Sequence, residues 1–238
     1  MSAKKQSPLY EAPGRSGMRL VSEFSLPLER RLLGFVVAVD LFLIALHIVT
    51  GATLPAIPRL LNISFDFSLA ETFGYGKWIA IIVLLLAAYR HRRLAILPSM
   101  AAVFTLMLLD DSLQIHERLG AERVEVLNLG ATSWAKAQDI GEILVWGLMA
   151  ALVLPIIAIG FVRSNAQGRR IGVVLVALIG LYAVFGGIID VLHQPFTALP
   201  YGIQIADLLE DGGEMIVGSL ILAHVAALSR HLRRAPPR

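Results

Sequence analysis

Residues 136–162 read KAQDIGEILVWGLMAALVLPIIAIGFV, with three charges in the first seven positions and then twenty residues carrying none. A helix rises about 1.5 Å per residue, so about twenty apolar residues cross the roughly 30 Å of hydrocarbon in a bilayer. Asp139 and Glu142 stand at the mouth of this run. Seventy-two residues after Gln138, Glu210-Asp211-Gly212-Gly213-Glu214 opens the last long apolar run of the chain in the same way. Ionisable groups inside a membrane are costly, and they persist where they pair with one another or serve a function.

Composition extends this reading to the whole chain. Hydrophobic residues make up 56% and charged ones 16%, and the mean hydropathy is +0.70. That places the chain among all-α polytopic membrane proteins and away from soluble domains. Apolar runs of spanning length fall at about 32–53, 69–89, 94–116, 136–162, 171–193 and 203–228. Six spans make three hairpins that each leave one side of the membrane and return to it. Residues 1–30 are expected to form a cytosolic tail, 31–228 the transmembrane domain, and 229–238 a basic cytosolic tail. The first thirty residues have basic charges but no apolar core, so the first helix is expected to be retained and not cleaved.

Charge distribution sets the orientation. In the six-span scheme 16 of the 21 Lys and Arg residues fall on the side of the termini, in the tails and in the connections at 90–93 and 163–170. The positive-inside rule makes that side the cytoplasm, in a bacterial-type inner membrane. Of 18 acidic residues, 15 fall elsewhere, in outer connections or outer helix halves. The two parts carry +13 and −10, so the net charge of +3 reflects topology and gives no reason to invoke nucleic acid. There is no Cys. Disulfides, thiolate metal sites and cysteine nucleophiles are excluded, and any metal must be held by oxygen and imidazole.

The acidic boxes belong to a longer pattern. In hairpin two, Asp110, Asp111, His116 and Glu117 end the rising helix and Asp139 and Glu142 begin the descending one. Hairpin three has Asp190 and His193, then Asp211 and Glu214. Hairpin one has Asp40 and His47, with Lys77 where the others carry Glu. This pseudo-repeat suggests packing about a pseudo-threefold axis. At 100° per residue Asp190 shares a face with His193, Asp139 with Glu142, Asp211 with Glu214, and Asp110 with Glu117 after two turns.

An Asp-x-x-His pair with carboxylates from facing helices follows the logic of the Glu-x-x-His pairs that hold two-metal sites in helical bundles. The expected ligands are Asp110, His116, Glu142, Asp190, His193 and Glu214, with Asp40 and His47 completing or supporting the shell. Asp111 or Asp139 would move protons. This donor set favours one or two divalent ions of iron, manganese or zinc. It suits a membrane-embedded hydrolase or oxidoreductase acting on a lipid, a quinone or another small apolar substrate.

Two other readings compete. The same cluster could serve a proton or divalent-cation transporter, or it could only hold the bundle together or dock a partner. Carboxylates in first turns are favoured by the helix dipole alone, which accounts for the boxes but not for Asp at helix C-termini. Lys77 is expected to neutralise part of the carboxylate cluster. Segment 59–72 is expected to lie along the outer surface over the site, Trp78, Trp134 and Trp146 to include interfacial anchors, and His224 to be a packed core histidine. No phosphate-cradling loop, serine nucleophile motif or His-Glu-x-x-His is present.

Overall fold

The structure is a computed structural model that describes residues 28–132, 136–191 and 193–234. The elements run α1 (Arg30–Thr53), a 3-10 turn (Arg59–Leu61), α2 (Leu69–His91), α3 (Ile96–Leu113), α4 (Ile115–Leu127), α5 (Ala137–Val162), α6 (Ala166–Ala183) continued by a π-helical turn (Val184–Ile189), α7 (His193–Phe196) and α8 (Gly202–Arg234). Six helices are long and apolar enough to span a membrane: α1, α2, α3, α5, α6 with its π turn, and α8. The protein is an all-α membrane bundle. Large apolar side chains face outward along the spans, among them Phe35, Leu41 and Phe42 on α1 and Leu148, Leu152 and Leu154 on α5. In water such faces would be untenable, whereas lipid tails solvate them.

Local signals set the helix starts. Ser68 caps α2 by accepting the Glu71 N–H at 3.2 Å, and Asn165 caps α6 by accepting the Gly168 N–H at 3.0 Å. Asp139 accepts the Lys136 N–H at 2.7 Å and so closes the first turn of α5. Connections 92–95 and 163–165 are short, whereas 54–68, 114–136 and 190–201 are long. The successive spans therefore place the three long connections at one end of the bundle.

Two features depart from the sequence expectation. The third span stops at Gln114, whose backbone is left-handed (φ 53°), and the chain turns into a separate helix, α4. Glu117 therefore leaves the line of Asp110, and the seven-residue register across 110–117 is broken. The second departure is α8, 72% of whose most apolar window is buried, against 11–39% for the other spans. It packs on α1, α2, α6 and the π turn, and α1 and α2 meet mainly through it. One helix buried against three of the other spans makes the three expected hairpins inequivalent, and a pseudo-threefold axis is not evident.

Beneath the level of Lys77 the interior is solid. Ile81 and Leu85 of α2, Ile96, Leu97, Met100 and Phe104 of α3, and Ile221, Val225 and Leu232 of α8 are fully buried in one apolar cluster. His224 lies in this half, buried and with a partner, as expected of a core histidine. At the other end, α4 presses backbone to backbone on the start of α5: a Cβ on Gly141 would lie 2.3 Å from the Gly120 carbonyl oxygen. Only glycine permits that approach.

Candidate functional site: an acidic cavity

A cavity of about 390 Å³ opens among α2, α3, α4, the π turn and α8, at the end with the long connections. Ile63, Ser64, Phe65 and Asp66 line one side of it, so part of segment 59–72 borders the cavity. The wall holds eight carboxylates, from Asp66, Glu71, Asp110, Asp111, Glu117, Glu210, Asp211 and Glu214, against two basic groups, Lys77 and His116.

Lys77 forms the floor and its charge is already spent. Its Nζ donates to Asp40 Oδ1 at 2.9 Å, to the Met215 carbonyl at 2.8 Å and to Ser219 Oγ at 3.3 Å. Ser219 in turn donates to the other oxygen of Asp40. Asp40 is 0% exposed and Lys77 3%. All three ammonium donors are met, and the ion pair joins α1, α2 and α8 at one level. Lys77 thus neutralises a carboxylate, as the sequence suggested, but one beneath the cavity wall.

His116 is the second basic group. Asp110 accepts its backbone N–H at 3.0 Å and meets its ring Nδ1 at 3.0 Å, clamping the reversal at Gln114 from both sides. Burial by itself would lower the imidazole, but the bond to Asp110 and the charges of Asp110, Glu142 and Glu117 outweigh it and push His116 up to about 9. Both ring nitrogens are then donors at neutral pH. Burial, reinforced by Asp66, pushes the neighbouring Glu117 above the usual carboxylate range, with His116 opposing.

Glu117 comes within 4.0 Å of His116 Nε2, whereas Asp111, Glu214 and Glu71 are held by neutral donors. Trp78 Nε1 donates to Asp111 Oδ2 at 3.1 Å, Tyr182 donates to Glu214 Oε2 at 2.9 Å, and Glu71 accepts the Phe67 N–H. Ser64 donates to Asp211. Among the described residues no ion pair reaches Glu71, Asp111 or Glu214. Glu214 is seated by the π turn: a Cβ on Gly186 would fall 1.5 Å from its Oε1, and one on Gly187 2.7 Å from the Trp146 ring. Two glycines in a widened turn, a feature often found at functional sites, leave room for a carboxylate and an indole.

The sequence-predicted ligands are thus dispersed. Asp110, His116, Asp111 and Glu214 line the cavity. Asp40 pairs with Lys77 below it, and His47 Nδ1 accepts the Ile63 N–H at 3.3 Å, tying α1 to the connection above. Glu142 is buried with Gln138 Nε2 at 2.8 Å, and Asp139 serves the start of α5. Asp190 is half-buried and partnered, and the His193 side chain lies outside the described residues. Among the described residues, no three His, Asp or Glu side chains are grouped to hold a metal ion. Gln114 turns His116 off α3, and Asp40 and Asp110 are each engaged by a basic neighbour, which keeps these three apart from the remaining expected ligands.

Sequence reasoning gave no role to Tyr75, Tyr182, Glu71 and Asp66, and grouped Trp78 with interfacial anchors. Trp78 is 3% exposed and stacks on Phe104 at 5.6 Å between centroids, so it is a core residue and no interfacial anchor. Trp134 lies outside the described residues. The signal available was the spacing of Glu71, Tyr75 and Trp78 on one face of a largely apolar helix.

These features define a six-span membrane protein built around an acidic, aromatic-walled cavity open at one end of the bundle. Residues 36–231 match the family described as Domain of unknown function (DUF8692), and the chain belongs to that family. No curated protein and no solved structure matches it.

Proposed function

We propose that the protein is an inner-membrane protein, with both termini in the cytoplasm, that binds a cation in a cavity open to the outside. The supporting observation is electrostatic: carboxylates from α2, α3 and α8 face one cavity and are held by Trp, Tyr and backbone N–H groups, not by cations. Like charges gathered in a poorly hydrated site are unfavourable until a cation or protons compensate them. The positive-inside count puts this end outside. The solid apolar half below Lys77 makes the site one-sided, as in the outward-facing state of a carrier or in a receptor for an external solute.

This reading displaces the metalloenzyme. A metal ion draws three or more donors to within about 2.0–2.6 Å of one point, whereas these carboxylates are spread round a cavity. Iron, manganese or zinc keeps one narrower place as a second reading, at the junction of α5 and the outer end of α6. There Glu142 feels the charge of Asp190, and His193 follows three residues on. Metal analysis after metal-replete growth tests this, and a stoichiometric ion lost in Glu142→Ala would support it.

The cation reading is tested by thermal stability in lipid nanodiscs against a panel of magnesium, manganese, zinc and ammonium salts at matched ionic strength. A ligand at 100 times its dissociation constant stabilises the fold by about 2.7 kcal/mol. Saturable stabilisation that is lost in Asp111→Asn and Glu214→Gln is expected. Its absence for every cation would overturn the proposal.

A further inference from the structure

The cavity is far larger than an inorganic ion requires, and its walls are of two kinds. About 390 Å³ lies in the range of small-molecule sites. Beside the carboxylates it is lined by the aromatic side chains of Tyr75, Trp78, Trp146 and Tyr182 and by the apolar ones of Met107 and Met215. Three of the aromatic residues act twice. Trp78 fixes the Asp111 carboxylate through its indole N–H, Tyr182 fixes Glu214 through its hydroxyl, and Tyr75 holds the Asp111 backbone carbonyl at 3.3 Å. Trp78 and Tyr182 also brace each other edge to face at 5.1 Å. Carboxylates and aromatic rings are therefore set in one rigid unit.

Resting on the cation-site reading, we propose that the ligand is an organic ammonium with an apolar body, with Asp111 and Glu214 as its counter-charges and Tyr75, Trp78, Trp146 and Tyr182 as its walls. An ammonium group is attracted both by carboxylates and by aromatic rings, and its hydrocarbon body gains by leaving water for an aromatic and thioether lining. A hydrated divalent ion gains nothing from those walls. The floor acts in the same sense: Lys77, whose donors are taken by Asp40, Ser219 and the Met215 carbonyl, has no acceptor to offer a cation.

The test is equilibrium binding to full-length protein in nanodiscs, read by tryptophan fluorescence and by calorimetry. The probes are phenethylamine and benzyltrimethylammonium, with phenethyl alcohol as the neutral analogue and manganese chloride as the inorganic cation. Saturable binding of both ammonium probes, at least tenfold tighter than the alcohol, is expected. Asp111→Asn and Glu214→Gln should each weaken it at least tenfold without changing helix content. Should either variant misfold, the comparison of ammonium with alcohol on the parent protein still decides. Equal affinity for the alcohol overturns the proposal. Saturable binding of manganese alone overturns it and leaves the cation site standing, and binding of no probe or metal removes both.

Discussion

Replacing Lys77 by Met is the sharpest test of how the bundle is held together. Asp40 lies ten residues into α1 and Lys77 eight residues into α2. At 1.5 Å per residue these are depths of about 15 and 12 Å from opposite ends, so the pair sits well inside the hydrocarbon zone. Lys77→Met leaves the Asp40 carboxylate, 0% exposed, with Ser219 as its remaining partner. Removing one member of a buried pair costs about 3–5 kcal/mol. Asp40→Asn should cost less, because Lys77 keeps Met215 and Ser219 and an amide oxygen can replace the carboxylate as acceptor. The double variant Asp40→Leu/Lys77→Met should lie within about 1 kcal/mol of the parent or above it, since apolar replacement of a buried pair is often neutral or stabilising. The geometry favours this: Ser219 is four residues after Met215, so its freed hydroxyl can turn back to that carbonyl. The assay is SDS titration from mixed micelles followed by far-UV circular dichroism and by the fluorescence of buried Trp78. Costs that simply add in the double variant, or a Lys77→Met penalty below about 1 kcal/mol, would refute this account of the pair as coupled and buried.

Gly186→Ala should expel the Glu214 carboxylate from the bond with Tyr182, since the new methyl would lie 1.5 Å from Oε1. We expect a loss of about 1–3 kcal/mol and at least a tenfold loss of cation binding in the nanodisc assay, with helix content unchanged. Gly141→Ala meets a backbone carbonyl at 2.3 Å, which cannot swing aside, whereas a Cβ on Gly147 meets nothing within 4 Å. The first should reach the upper end of about 1–3 kcal/mol of overpacking and the second should cost nothing, as measured by SDS titration. His116 predicts a pH dependence. Its value in the fold, about 9, exceeds the ordinary 6.5, so its pairing with Asp110 stabilises fully below about pH 6.5 and is lost as pH rises through about 9. The difference in stability between parent and His116→Gln should shrink across that window with a slope no steeper than about 1.4 kcal/mol per pH unit. Melting curves from pH 6 to 10 check it, and a flat difference would count against the charged pair.

The six spans were legible because lipid imposes a length rule that no tertiary contact overrides, and the ends of 32–53, 69–89 and 136–162 fall within two residues of α1, α2 and α5. Helix α4 was hidden because its residues 115–127 mix five charges with apolar positions. The break before it rests on one left-handed residue, Gln114, a type that does not advertise that conformation. Helical phase put Asp110 with Glu117 and Asp211 with Glu214, but it is a property of single helices. Which groups pair across helices depends on the azimuth of each helix, and that was set by features such as the Gly120–Gly141 contact and the Gly186 slot. The choice of Lys77 for Asp40 over the cavity acids is of this kind.

A bundle that only needed polar glue would pair its charges one to one, as Lys77 pairs with Asp40 and His116 with Asp110. Those two pairs engage both basic side chains that line the cavity among the described residues, and His116 reaches beyond its pair only to Glu117, at 4.0 Å. Asp111 and Glu214 add nothing that an apolar contact could not supply more cheaply, because a buried carboxylate held only by neutral donors is less stable than the hydrocarbon that could fill its place. Nor do they look like accidents of helix capping, since Asp111 lies in the last turn of α3, the end the helix dipole disfavours for an acid. Two carboxylates kept at a cost to stability, and positioned through an indole N–H and a phenol that themselves line the same cavity, are what a site for a positively charged ligand requires.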